Sequence, residues 1–308
     1  MLLMKRPFQS GALNHCYQRS ADGGVIFYSV SDYLVWFSIV CITASKHQVI
    51  ILALCPMPDH IHMSVVSDSV QQLSAFMGEV NRTFSHAKNQ LCNTKLSWFE
   101  RTYGSVFKKG EKAVRTNLIY VGNNPVERHL AARAEDYRWT FLAYAGCKNP
   151  FSEKLVLHNS SWHLKNAVGE IRTQYKHHKP MNYSLLKRIT EKLNAKEIQQ
   201  LIDYIISTYN VIDYDKTLSY FDNSYDNYLT ALHSTTGSEY DLKETFVGWS
   251  DAHYNKMIKV LLKAEAVKEI HEFLSWPESK RNELFSLLKR KTNASAVQIK
   301  KFLHLPLD

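Results

Sequence analysis

The sequence predicts an α+β fold: a ferredoxin-like antiparallel sheet with helices on one face, followed by an all-α region. Three observations carry this. Strand and helix signals over residues 12–124 run β-α-β-β-α-β-α, and the first six elements are the split βαβ order. From about residue 160 the pattern becomes almost wholly helical and rich in Lys, Leu and Tyr. Apolar residues make up 45% of 308, enough for a real core and too many for a disordered chain.

Each element has a local cause. "ALNHCYQRS" (12–20) reads as a strand and "DGG" (22–24) as a turn. "SDYLVWFSIVCITASK" (31–46) has helical length, with Ser31 as its expected N-cap. "HQVIILALC" (47–55) is an apolar, β-branched strand, and "PMPD" cannot continue a helix, so it turns the chain. "HIHMSVVS" (60–67) then closes a hairpin. Residues 69–90 form an amphipathic helix with Leu73, Phe76, Met77, Val80 and Phe84 on one side. A strand is expected within 99–110, then a helix over 111–124 that Pro125 ends. Beyond Asn149-Pro150, segments 196–210 and 255–274 are the clearest amphipathic helices. Residues 278–305 have the shape of a helix-turn-helix, or of a plain helical hairpin. The expected division is a mixed domain over 1–150 and a helical domain over 151–308.

Composition narrows the function classes. The longest apolar runs, such as "VIILALC", are far too short to span a membrane. The opening "MLLMKRPFQS" lacks the order of a secretory signal. Five cysteines stand far apart with no C-x-x-C pair, which argues against a zinc ribbon or a disulfide scaffold and for a reducing, cytoplasmic setting. The net charge of +9 suits a polyanion. It is concentrated in residues 1–150, which hold 16 Lys+Arg against 10 Asp+Glu; residues 151–308 hold 22 against 19.

The stretch "LALCPMPDHIHMSVV" (52–66) asks for a chemical explanation. His60 and His62 are two apart in a strand, so both point to one face while Ile61 points to the other. Two such imidazoles can share a metal ion, or can be two half-buried histidines. The residues that follow, Met63, Ser64, Val65 and Val66, fit neither a metallo-hydrolase nor a histidine-triad pattern. On the helix at 111–124, Tyr120 and Asn124 share a face, so Asn124 could add a ligand and Tyr120 a hydroxyl. A cation with open positions polarises a phosphodiester, and a tyrosine hydroxyl can then attack it.

At these residues the chain resembles a known family. "MPDHIHM" looks like the HUH motif of single-strand DNA endonucleases with one catalytic tyrosine. "YVGNNPVERHLAARAEDYRWTFLAY" (120–144) looks like the tyrosine-helix region of REP-associated tyrosine transposases and their insertion-sequence relatives. "NHCYQRSADGGVIF" (14–27) resembles the first strand of that family, and the likeness covers about residues 10–146. The resemblance implies an HUH nuclease fold, a Mg²⁺ or Mn²⁺ cofactor, and a transposase that cleaves and rejoins single-stranded, hairpin-flanked DNA through a 5′-phosphotyrosine. It implies His60, His62 and Asn124 as metal ligands and Tyr120 as nucleophile. Asp59 stands where the family usually has Asn, a change expected to bear on metal preference. Arg19, Arg101, Lys108, Lys109, Lys112 and Arg115 are candidates for gripping DNA phosphates, and "NASAVQIKKFLHL" (293–305) for a basic reading helix. A bacterial source and a monomer or homodimer are also implied. Two rivals stay open. One is a domesticated protein that binds hairpin nucleic acid without cutting it. The other is a metal-dependent nuclease that uses water and needs no Tyr120.

Overall fold

The computed structural model describes residues 8–235 and 250–307. The first half is β1 (Leu13–Arg19), α1 (Val30–His47), β2 (Ile50–Pro56), β3 (His60–Val66), α2 (Val70–Cys92), β4 (Gly104–Lys108) and α3 (Glu111–Glu127). The strands form a four-stranded sheet in the order β2-β3-β1-β4, and every neighbouring pair is antiparallel. This is the ferredoxin-like order that the element sequence predicts.

Alternation along the strands sorts the two faces. Ile61, Met63 and Val65 of β3 join the main core with α1 and α2. The opposite face carries His60, His62, Ser64 and Val66, and α3 covers it: Leu13, Leu52 and Val66 pack against Val114 and Leu118. The outer edge of β2 is closed by the segment near Ile212. Asp213 N donates to Ile51 O at 2.8 Å, and Thr217 Oγ1 donates to Leu52 O at 2.8 Å. The open ladder edge is thereby paired, as an edge strand requires.

The rest is helical: α4 (Trp162–Lys176), α5 (Tyr183–Thr190), α6 (Ala195–Tyr209), α7 (Tyr214–Leu218), α8 (Tyr225–Thr235), α9 (Ala252–Lys263), α10 (Glu278–Lys291) and α11 (Ala296–Leu303). Near residue 150 the chain changes from mixed to helical structure, while one hydrophobic core runs through both parts. The reason lies in α1, which is buried on nearly every side from Asp32 to Ala44. A helix apolar all round needs cover on both sides. The sheet supplies one cover, and α5 and α6 supply the other.

A buried ionic cluster fastens the same contact. The Asp32 carboxylate accepts from Tyr28 N and Ser29 N, from Lys88 Nζ, from the Tyr183 hydroxyl at 2.8 Å, and pairs with His271 Nε2 at 2.9 Å. Burial alone would raise this carboxyl, but the charges of His271 and Lys88 outweigh it and hold the group well below the usual carboxylate range.

Several boundaries differ from expectation. Ser29, not Ser31, caps α1, because Asp32 at the third helical position returns the bond to the Ser29 backbone. The strand expected from residue 47 begins at Ile50, since His47 completes α1 and Gln48 turns into the left-handed region with φ 53°. Pro125 does not end α3 but lies inside its last turn, which closes through Arg128 N to Asn124 O at 3.0 Å and Leu130 N to Pro125 O at 2.8 Å. The expected helix over 255–274 breaks after Lys263, where Glu265 takes φ 52°. Residues 278–303 do form helix, turn and helix. The second of these, α11, buries Ile299, Phe302 and Leu303 and docks on the turn after β1. Val25 N donates to Lys301 O, and the Tyr28 hydroxyl donates to Phe302 O at 2.6 Å.

Candidate active site

The site lies between β3 and α3. Ser64 Oγ donates to Asn117 Oδ1 at 2.8 Å, and the Tyr120 ring meets the His62 ring edge-on at 5.4 Å between centroids. The two elements therefore run antiparallel and nearly in step. Four helical residues rise about 6 Å, close to the roughly 7 Å of two strand residues. Of the expected quartet, His60, His62 and Tyr120 thus come together, and Asn124 follows one helical turn after Tyr120 on α3.

Each ring is held in a defined way. His60 and His62 lie perpendicular at 4.8 Å between centroids. His60 Nδ1 is 2.6 Å from Asp59 Oδ1. The carboxylate accepts only, so Nδ1 carries the proton. In the neutral ring Nε2 then presents its lone pair, and that atom is buried with no hydrogen-bond partner. His62 Nδ1 is 3.1 Å from His15 Nε2, and the two rings stack at 5.3 Å. His15 also meets the Tyr120 ring edge-on at 5.5 Å, so Tyr120 sets its ring beside the His15–His62 stack. Asn124 Nδ2 donates to Tyr120 O at 3.1 Å, which leaves Oδ1 as the end with lone pairs to offer.

Burial keeps His15 and His62 neutral. It pushes His62 well below the usual histidine range, with His60, His15, Arg128 and Arg19 adding to the effect. It takes His15 to about 3, helped by Lys108. Asp59 is the counterpart. Burial would raise it, yet His60, Lys301 and Arg128 hold it at about 2. Asp251 is pushed up to about 7 by burial and by the Asp59 charge, against the pull of Arg128, His60 and Lys301.

These residues fit a divalent cation. The buried His60 Nε2, which has no hydrogen-bond partner, stands beside the neutral His62 ring, and a carboxylate fixes the His60 ring, as metal-binding histidines require. Among the described residues no three His, Cys, Asp or Glu side chains gather in a metal-binding arrangement, and the Asn124 amide is the third ligand that the sequence offers.

The six candidate DNA contacts do not form one patch. Arg19 ends β1 opposite His60, and Arg101 follows Glu100, whose N–H donates to Arg19 O at 2.9 Å. Lys108 pairs with Leu13 at the other end of β1, six strand steps or about 20 Å away. Lys109, Lys112 and Arg115 continue from there onto α3, where the Arg115 guanidinium lies 5.5 Å over the Phe221 ring. The two groups flank the quartet along the sheet. Except for half-buried Lys108, all six are exposed.

Four nearer groups have no role at the histidines in the sequence reading: His15, set aside as a local histidine, Arg128, noted only within the family motif, Lys301, placed in the reading helix, and Asp251. His15 lies two residues before Tyr17, the cross-strand partner of His62, a signal available only once register is known. Arg128 is one helical turn past Asn124, and that spacing could have flagged it. Lys301 Nζ stands 3.7 Å from Asp59 Oδ2, and Asp251 N donates to Arg128 O at 3.0 Å. Both come from the C-terminal part, and no sequence pattern ties them to the site.

In comparison with known proteins, residues 29–124 match the model of the IS200-like transposase family. A solved structure described as "Structure of the REP associates tyrosine transposase bound to a REP hairpin" aligns at 14% identity and a TM-score of 0.42, over 53% of this chain and 95% of that one. No curated protein matches the chain. Among the described residues, no helix is long and apolar enough to cross a membrane.

Proposed function

We propose that this chain, built on an IS200-like transposase domain, cleaves and rejoins single-stranded DNA beside a hairpin, with Tyr120 as the nucleophile. The observation that carries the reading is the Tyr120 ring set against His62, itself beside His60, on one face of the sheet. In the forward step Tyr120 Oη bonds to phosphorus and gives up its proton. The P–O3′ bond breaks, and the 3′ oxygen leaves as a hydroxyl. The products are a 5′-phosphotyrosine and a free 3′-OH. An incoming 3′-OH reverses the step and regenerates Tyr120, so no external energy is needed.

A Mg²⁺ or Mn²⁺ ion held by His60, His62 and Asn124 would supply positive charge to the scissile phosphate. Asp59 keeps the proton on His60 Nδ1, and His15 orients His62 through its Nδ1. Arg128 and Lys301 add cationic charge at the His60 end. Arg19 and Arg101 on one side, with Lys108, Lys109, Lys112 and Arg115 on the other, define a track for the strand. The helical part over 151–308 serves recognition, with α10 and α11 as its helix-turn-helix.

One observation favours a second reading. Tyr120 is only 2% exposed, as suits a protein that binds a hairpin and does not cut it. Labelled hairpin DNA from the flanks of the gene separates the readings. Mixed with Mg²⁺, Mn²⁺ or EDTA, the wild type should give a metal-dependent protein adduct on the 5′ end of the downstream fragment, and Tyr120→Phe should give none. Cleavage that persists in Tyr120→Phe would mean that water attacks. Binding without cleavage would establish the second reading.

A further inference from the structure

Helices α4 and α5 lie on the far side of the molecule from the histidines. The site occupies the sheet face under α3, α1 covers the other face, α5 packs on α1, and α4 packs on α5 and α6. The layers of α1 and α5, about 8–10 Å each, therefore stand between the α4–α5 surface and the sheet. An open groove of about 730 Å³ runs between α4 and α5. Trp162 lines it and is 70% exposed, the most of any large apolar side chain among the described residues. His163 meets the indole at 81°, and at that exposure at least one indole face is open. Gly169 lies on the same face of α4, seven residues or two turns on. A Cβ there would meet nothing within 4 Å, so no packing inside the chain calls for this unfavourable mid-helix glycine. The surroundings are strongly basic. Residues 154–196 hold nine Lys+Arg, all exposed, against two Asp+Glu, while the rest of residues 151–308 holds 13 against 17. Of the cations in the groove, Arg188 pairs with Glu170 at 3.0 Å, Lys165 donates to His158 O at 3.3 Å, and Lys192 has no partner among the described residues.

We infer that the α4–α5 groove is a second polyanion site, which binds a single-stranded nucleic-acid segment separate from any strand at the histidines. An open indole between cations is the arrangement that holds a strand without reading its sequence, because every base has a face to stack. Gly169 lets the sugar–phosphate backbone approach α4 more closely than any side chain would allow. Lys165 and Lys192 supply the phosphate contacts, and the wide cation excess outweighs Glu191, the one acidic group of the groove outside the Arg188 pair. Other occupants match only half of the surface. An apolar peptide suits Trp162 but not nine cations, an acidic peptide suits the cations but needs no open indole, and a duplex presents no unstacked base. The inference uses neither Tyr120 nor the metal, and the groove lies wholly outside residues 29–124.

The test uses the full-length protein and a labelled oligothymidylate of about 12 nucleotides, within the usual span of a single-strand site and unable to form a hairpin. Ultraviolet crosslinking and mass spectrometry should place thymidine on the peptide carrying Trp162. Trp162→Ala should weaken binding about tenfold. Lys165→Gln with Lys192→Gln should reduce the salt slope of log K by about 1.4, for two phosphates at about 0.7 each. Gly169→Leu should block binding while the melting temperature is kept or raised. All these positions are exposed, so the fold is kept. Arg19→Gln with Arg101→Gln, across the sheet, should leave the Trp162 crosslink in place. An oligouridylate of the same length, run in parallel, tells an RNA strand from a DNA strand by which is bound more tightly. Crosslinks confined to the histidine face, or unchanged affinity and slope in the groove variants, would overturn the inference. Equal binding of a duplex, indifferent to Trp162→Ala, would do the same. So would loss of self-association in Trp162→Ala with oligothymidylate binding intact, which would give the groove to a second copy of the chain. None of these readouts depends on cleavage, so the groove and the Tyr120 chemistry stand or fall separately.

Discussion

Asp59→Ala removes the acceptor that holds the proton on His60 Nδ1 at 2.6 Å. Asp59 is ionised throughout the usable pH range, held at about 2 by His60, Lys301 and Arg128 against its burial. The lost bond is charge-assisted and contributes about 1.5–3 kcal/mol. It fixes both the tautomer and the angle of a proposed ligand, and loss of such a partner costs roughly 10–100-fold in metal affinity. Lys301, 3.7 Å from the other carboxylate oxygen, already offsets part of the charge, so the cost belongs in the lower half of that range. Asp59→Asn keeps an acceptor oxygen and loses only the charge, and about half the free energy should survive. Mn²⁺ titration by calorimetry, on protein without DNA, should rank wild type above Asn and Asn above Ala, with adduct yield against Mn²⁺ following the same order. Wild-type affinity in Asp59→Ala would refute the orienting role. Equal loss in Asn and Ala would show that charge alone matters.

Other expectations follow from the same contacts. Asp32→Asn leaves the fully buried Lys88 ammonium without its counter-charge and should cost about 3–5 kcal/mol in urea unfolding. His15 sits at about 3 in the folded chain against an ordinary 6.5, so the unfolded chain binds the extra proton between those values. Stability from His15 is therefore complete above pH 6.5 and is lost at up to about 1.4 kcal/mol per unit as pH falls toward 3; His15→Gln should flatten that slope in pH-dependent melts. A Cβ on Gly104 would stand 2.0 Å from the Tyr17 ring, so Gly104→Ala must displace that ring from beside Arg19 and should cost about 1–3 kcal/mol, read by thermal unfolding.

The sheet domain was legible because its cues are local. Alternation in "HIHMSVV", the double proline before it and the amphipathic helix over 69–90 each specify an element without help from the rest of the chain. The pairing of the candidate site residues was legible in part for the same reason: strand spacing puts His60 and His62 on one face and helix spacing does so for Tyr120 and Asn124, while only the family resemblance singles Tyr120 out of 17 tyrosines. What escaped depends on tertiary contacts. His15 reaches His62 only through the β1–β3 register, and Lys301 reaches Asp59 only because α11 folds back onto the turn after β1. The end of α9 at Lys263 is marked by neither Gly nor Pro; Glu265 takes the left-handed conformation, and nothing in the local sequence announces it. One global cue was present. α1 is apolar on all sides, too much so for a helix lying on a sheet with solvent behind it, and this foretells the helical cover that the structure shows.

The central claim is that Tyr120, one of 17 tyrosines, forms the bond to DNA. The most direct measurement digests the covalent protein–DNA adduct with nuclease and protease and locates the nucleotide-bearing residue by mass spectrometry. The account predicts a single phosphotyrosine-linked peptide carrying Tyr120. A nucleotide on any other tyrosine, or an adduct that survives in Tyr120→Phe, would contradict it.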